Sequence, residues 1–130
     1  MAQDDSREVD AFFAEDPSSL KDFYVVSFGL KIVLDNGQGS PPGYFLGDDH
    51  GTSLEIIGRP SGFGNVNQRY VCHVAFVVED VAAKRLELEG LGLTFESETV
   101  DNNDSMTTAF CNDPAGNRIQ IVKRKKPLGS

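Results

Sequence analysis

The sequence predicts an α+β fold built from two βαβββ modules, forming an open eight-stranded, barrel-like cup with helices on the outside. Two observations carry that expectation. The chain matches itself at an offset that stays within one residue of 64, and the matches come in the same order. Ala11-Phe12-Phe13-Ala14-Glu15-Asp16 lies over Ala75-Phe76-Val77-Val78-Glu79-Asp80, and Phe28-Gly29-Leu30 lies over Leu91-Gly92-Leu93. Phe45 lies over Phe110, Asp48 over Asp113, Gly51 over Gly116, and Leu54-Glu55-Ile56-Ile57 over Ile119-Gln120-Ile121-Val122. Such self-similarity marks a repeated supersecondary unit. The second observation is that each copy reads, in the same order, as a strand, a helix and three strands.

The opening strands are expected at Val9–Ala14 and Val71–Val78, where β-branched and aromatic residues cluster. Asp16 and Asp80 follow as helix N-caps, and Pro17 suits the first helical position. The helices run over about Pro17–Ser27 and Val81–Glu89. Leu20, Phe23 and Tyr24 give the first an apolar face, and Leu86 with Val81 or Ala82 gives the second a weaker one. Gly29 and either Gly90 or Gly92 end them. Strands then fall near Leu30–Leu34, Gly43–Leu46 and Ser53–Ile57, and near Leu93–Thr99, Met106–Cys111 and Arg118–Lys123. The last two strands of each copy are joined by Asp-x-x-Gly, at Asp48–Gly51 and Asp113–Gly116, where glycine supplies positive φ and aspartate bonds its own backbone. One domain is expected: module one at about 9–58, a glycine-rich linker at about 58–70, module two at about 71–123, and a basic tail at 123–130.

The totals narrow the function. With 130 residues the chain can bury a core without disulfides or a structural metal. The net charge of −8 argues against nucleic acid, which demands clustered Lys and Arg. Lys123-Arg124-Lys125-Lys126 reads as a solvated tail. No apolar run has the length of a membrane span, and the acidic start MAQDDSREVD is unlike a signal peptide. A cytoplasmic protein follows, with Cys72 and Cys111 as reduced, buried, small hydrophobes.

Alternation along the strands picks out candidate site residues. Leu54 and Ile56 share one face and Glu55 takes the other; Ile119 and Ile121 share one face and Gln120 takes the other. Val74, Phe76 and Val78 form an apolar face, which puts His73, Ala75 and Val77 opposite. Glu55, His73 and Gln120 therefore stand on the face away from the helices, and the repeat pairs Glu55 with Gln120 and His73 with Val9. Imidazole and carboxylate suit a first-row divalent ion, and an amide oxygen is a weaker ligand. The bland alternative is a hydrogen-bonded strand histidine beside a paired or solvated glutamate.

These residues carry a resemblance. The runs His73-Val74-Ala75-Phe76 with Glu79-Asp80, Leu91-Gly92-Leu93 and Asp113-Pro114-Ala115-Gly116-Asn117-Arg118-Ile119-Gln120-Ile121-Val122 are similar to the vicinal-oxygen-chelate superfamily. That is the superfamily of glyoxalases, bleomycin-resistance proteins and extradiol dioxygenases. Phe23-Tyr24, Phe28-Gly29-Leu30 and Ser53-Leu54-Glu55-Ile56-Ile57 resemble it in the first half, over about residues 9 to 123 in all. The resemblance implies a homodimer and a small-molecule ligand. It also implies one metal ligand from the first and last strand of each module, namely Val9, Glu55, His73 and Gln120. Glu55 and His73 match; Gln120 replaces the usual glutamate, and Val9 has no donor atom. Asp10 could substitute for Val9 only through a strand bulge.

Two functions are implied. One is a lyase or isomerase of glyoxalase type acting on a small oxygen-bearing substrate. It would hold Zn, Ni, Mn or Fe through Glu55, His73 and Gln120, with Glu55 the one carboxylate left to act as a base. The other is a metal-free protein that sequesters an antibiotic of the bleomycin type, with Phe13, Phe63 and Tyr70 lining its pocket. His50 is expected to be a surface residue, and the Gly58–Asn67 linker a passive crossover or a lid.

Overall fold

A computed structural model describes residues 10–49, 53–61, 73–102 and 105–125. The expectations for Val9, His50, Gly51, Phe63, Tyr70, Val71, Cys72, the 62–70 part of the linker and the tail beyond Lys125 lie outside the described residues. The chain divides into two compact units, residues 1–64 and 65–130.

Unit one contains β1 (Asp10–Ala14), α1 (Pro17–Phe28), β2 (Lys31–Asn36), β3 (Gly43–Gly47) and β4 (Ser53–Gly58). Its sheet runs β1-β4-β3-β2, with β1 parallel to β4 and the other pairs antiparallel. The Asp16 carboxylate accepts the Ser19 N–H at 3.1 Å and the Ser19 hydroxyl at 2.8 Å. The backbone bond from Ser19 is the main reason this carboxyl titrates below its ordinary value. Gly29 closes the helix in the left-handed conformation, at φ 66°, where a Cβ would be strained. Leu20 and Tyr24 on α1 are buried with Phe12, Leu46, Leu54 and Ile56 of the sheet. Phe23 packs edge-on against Tyr24 at 4.9 Å.

Unit two contains β5 (Val74–Val77), α2 (Val81–Gly90), β6 (Val100–Asn102), β7 (Met106–Asn112) and β8 (Arg118–Arg124). Its sheet order, β5-β8-β7-β6, repeats that of unit one, again with the first and last strands parallel. The α+β class and the two βαβββ modules are thus observed. Asp80 caps α2 through the Ala83 N–H, and of the two candidate glycines Gly92 takes the positive φ, 96°. Asp113 accepts bonds from the Ala115 and Asn117 N–H groups, both at 2.9 Å, and from the Asn117 side chain. Gly116 in the same turn has φ 91°. This is the structure expected of Asp-x-x-Gly in this copy.

Two expectations need correction. The strand placed at Leu93–Thr99 is reduced to an isolated Phe95–Cys111 bridge, and regular pairing resumes only in β6. The chain bends over residues 96–98. Arg85 of α2 donates to the Ser97 carbonyl and the Thr99 hydroxyl, and Glu96 turns to meet Arg118. Side-chain bonds hold this segment in place of a ladder. The buried face of α2 is Val81 and Leu88, while Leu86 is 71% exposed. Between Val81 and Leu88 the stripe is completed by Arg85, whose guanidinium lies 4.7 Å from the centre of the Phe95 ring. A charged residue supplies packing surface there through its stem.

Candidate functional site

In unit one, β4 lies between β1 and β3, so its residues from Leu54 to Ile57 have a partner on both sides. Glu55 is aligned with Ala11 of β1 and Phe45 of β3. Leu54 and Ile56, its neighbours in sequence, point into the helix-side core. Glu55 therefore stands on the opposite face, where it is half-buried. Phe13 shares that face two residues along from Ala11, and is 49% exposed. The register from Asp10–Leu54 to Ala14–Gly58 is unbroken, so no bulge moves Asp10 onto the Glu55 face.

In unit two the corresponding row is Ala75, Gln120 and Phe110. The same three-residue row, with Glu exchanged for Gln, thus crosses the centre of both sheets. Gln120 is buried, and its Nε2 donates to the Thr108 hydroxyl oxygen at 2.6 Å. His73 immediately precedes β5 and is exposed. Its ring meets that of Phe110 edge-on, at 5.1 Å and 82°. The structure thus brings His73 and Gln120 to the same aromatic residue. Glu55 belongs to the other unit.

Phe110 is fixed from a further side. The Arg118 guanidinium carbon lies 4.0 Å from its ring centre, in cation–π contact. Arg118 in turn donates from Nε and a terminal nitrogen to the two carboxylate oxygens of Glu96, at 2.6 and 3.0 Å. This fork geometry holds a guanidinium more firmly than a single contact would.

Sequence reasoning did not single out Thr108, Phe110, Arg118 or Glu96 as site residues. The signal for the first three was available: alternation in β7 and β8 puts Thr108, Phe110 and Arg118 on the Gln120 face. Glu96 had no such signal, because it lies where the expected strand fails to form. Cys111 faces the other way and is buried. Burial, with the nearby Asp113 and Glu96 charges, pushes its thiol up to about 12, so it is no nucleophile.

The donor types can be tested against a divalent ion. Among the described residues no three His, Cys, Asp or Glu side chains gather as a metal cluster. Glu55, His73 and Gln120 include only two of those types, and the third donor is an amide. With Nε2 committed to Thr108, the Gln120 Oε1 is the atom left to coordinate. A carboxylate, an imidazole and an amide oxygen are each ligand types that a first-row ion accepts.

Two modules of this topology, each with a polar centre on the face away from its helix, define a paired βαβββ protein. The model of the Glyoxalase/Bleomycin resistance protein/Dioxygenase superfamily matches residues 10–121, and the chain belongs to that family. None of the curated proteins compared matches it. Among solved structures, SMU.1112c is 26% identical with a TM-score of 0.69, covering 91% of this chain and 98% of that one. A lactoylglutathione lyase from Agrobacterium tumefaciens is 20% identical with a TM-score of 0.69, covering 98% and 99%. A mutant of the fosfomycin resistance protein FosX from Listeria monocytogenes, complexed with Mn(II) and a dihydroxypropylphosphonic acid, is 14% identical with a TM-score of 0.73, covering 97% and 94%. The last two share the fold alone. Among the described residues, no helix is long and apolar enough to cross a membrane.

Proposed function

We propose that this chain is a divalent-metal lyase or isomerase acting on a small oxygen-bearing substrate, with Glu55, His73 and Gln120 as its metal donors. The supporting observation is the repeated central row, Ala11-Glu55-Phe45 in one sheet and Ala75-Gln120-Phe110 in the other. It gives Glu55 and Gln120 equivalent places, each flanked by a small residue and an aromatic one. The alanine leaves space above the sheet, and the phenylalanine offers an apolar wall to the substrate. A bound ion would polarise the substrate oxygen pair. Glu55 is the carboxylate available to move a proton. Phe13 would help to exclude water, with Phe63 and Tyr70 as further lining residues. A cytoplasmic homodimer completes the proposal, and its mass in solution is the check on that part.

Metal analysis of purified protein, followed by titration of the metal-stripped protein with Mn(II), Zn(II), Ni(II) and Fe(II), tests the reading. One ion per chain is expected, with weaker binding in Glu55→Gln, His73→Ala and Gln120→Ala. A protein that neither carries nor takes up any of these ions would overturn it.

Val9 favours a second reading. Hydrocarbon at one of the four implied ligand positions suits a metal-free protein that sequesters a small molecule. The acidic balance would attract a cationic ligand such as a basic glycopeptide. Calorimetry with such compounds in the presence of EDTA decides. Binding that survives chelation, with no metal retained, would favour this reading, and absence of heat with all of them would remove it.

A further inference from the structure

We infer that Thr108 is a positioning residue that fixes the polarity of Gln120, so that module two presents a carbonyl oxygen to its ligand and accepts only a cation or a hydrogen-bond donor there. The inference rests on the reading of Gln120 as a site residue.

Proton accounting around Thr108 carries it. The Thr108 hydroxyl lies 3.1 Å from the Ile121 carbonyl oxygen. A carbonyl only accepts, so the hydroxyl must donate to it. That commits the single proton of Thr108 and leaves its oxygen lone pairs. Gln120 approaches those lone pairs at 2.6 Å, and only its Nε2 has a hydrogen to offer. A flipped amide would leave its oxygen and the Ile121 carbonyl oxygen competing for the one hydroxyl proton. Thr108 and Gln120 are 5% and 7% exposed, so water competes little for either bond. The amide is therefore oriented by a backbone-anchored hydroxyl, with Oε1 on the branch away from Thr108.

The other module supplies an internal comparison. Thr108 is aligned with Val122 as Gly43 is aligned with Ile57, so Gly43 is the counterpart of Thr108. A Cβ added to Gly43 would lie 3.3 Å from the Ile56 carbonyl oxygen, the counterpart of the carbonyl that Thr108 bonds. The same carbonyl is present in both modules, but the position that carries the Thr108 hydroxyl in module two is glycine in module one. Where the hydroxyl is present the central residue is an amide; where glycine replaces it the central residue is the carboxylate Glu55. A carboxylate at position 120 would compete with the Ile121 carbonyl for that one hydroxyl proton. An amide at position 120 lets the hydroxyl keep its bond to the Ile121 carbonyl while accepting from Gln120.

Side-chain amide resonances of 15N-labelled protein test the inference without any ligand. The Gln120 pair, assigned by its loss in Gln120→Ala, is expected to exchange slowly with solvent in the wild type and in Thr108→Ser. In Thr108→Val it is expected to exchange rapidly. Rapid exchange in the wild type, or slow exchange unchanged in a folded valine variant, overturns the inference. If the valine variant does not fold, the wild-type and serine proteins decide. A Mn(II) titration then reads the consequence: about a 10-fold weaker affinity in Thr108→Val and near wild-type affinity in Thr108→Ser. If the wild type binds none of Mn(II), Zn(II), Ni(II) and Fe(II), the metal reading fails, and the amide exchange data still stand as the test of the polarity.

Discussion

Arg118 and Glu96 form a two-point ion pair across unit two, with N···O distances of 2.6 and 3.0 Å and side chains that are 11% and 19% exposed. Arg118 also covers the Phe110 ring that His73 touches. Removing one partner leaves a nearly buried charge without its counter-ion. Glu96→Gln is expected to cost about 3 kcal/mol, at the lower end for buried pairs because some water reaches this one. Urea unfolding measures it. A loss under about 1 kcal/mol would place the pair with ordinary surface bridges.

The Cys111 thiol makes stability depend on alkaline pH. Its folded pKa is raised by burial to about 12 from an ordinary 9.0. The folded state therefore holds the proton more tightly than the unfolded state. The resulting stability is complete below pH 9 and is lost as pH rises towards 12, by at most about 1.4 kcal/mol per pH unit. Chemical unfolding of Cys72→Ser at pH 8, 9, 10 and 11 should show a decline that is shallower in Cys72→Ser/Cys111→Ala. Parallel declines in the two proteins would refute this origin. Ellman's reagent should also leave Cys111 untouched in folded Cys72→Ser at pH 8.

Leu86 and Leu88 should respond in opposite ways to truncation. Leu88 is 0% exposed, and Leu88→Ala should cost about 2–5 kcal/mol for lost burial and the cavity left behind. Leu86→Ala should stay within about 0.5 kcal/mol, as exposed positions do. Thermal melts of the two variants check the orientation of α2. Equal losses would mean that the helix is rotated.

Asp113 should matter more than Asp16, although both cap backbone N–H groups. Asp16→Ala removes an exposed cap and should cost about 1 kcal/mol. Asp113 is buried and satisfies two backbone N–H groups together with the Asn117 amide. Asp113→Ala strands all three donors, each at about 1–3 kcal/mol before relaxation. Denaturant midpoints of the two variants should separate clearly. Similar midpoints would show that water replaces the aspartate.

The duplication was legible because it rests on residue types that local geometry demands. Asp16, Asp80, Gly29 and the Asp113–Gly116 turn each do a backbone task that few residues perform, and alternation put Glu55 and Gln120 on the face away from the helices. What stayed hidden depends on contacts far along the chain. Nothing near Leu93–Thr99 announces that Arg85 will take the Ser97 carbonyl or that Glu96 will turn to Arg118. The buried stripe of α2 was misread because it runs through the stem of Arg85, which binary patterning scores as polar. Gln120 was visible as a candidate, but its orientation depends on the Thr108 hydroxyl and the Ile121 carbonyl, which act only once β7 and β8 have paired.

The parallel pairing of first with last strand has a consequence for synthesis on the ribosome. In unit one Asp10 pairs with Leu54, 44 positions later, whereas β2, β3 and β4 join through short antiparallel links. A growing chain can zip that three-strand meander as it emerges. Its first strand must wait, its backbone bonded to water rather than to a ladder partner, until the final strand has left the exit tunnel, and unit two repeats the delay between β5 and β8.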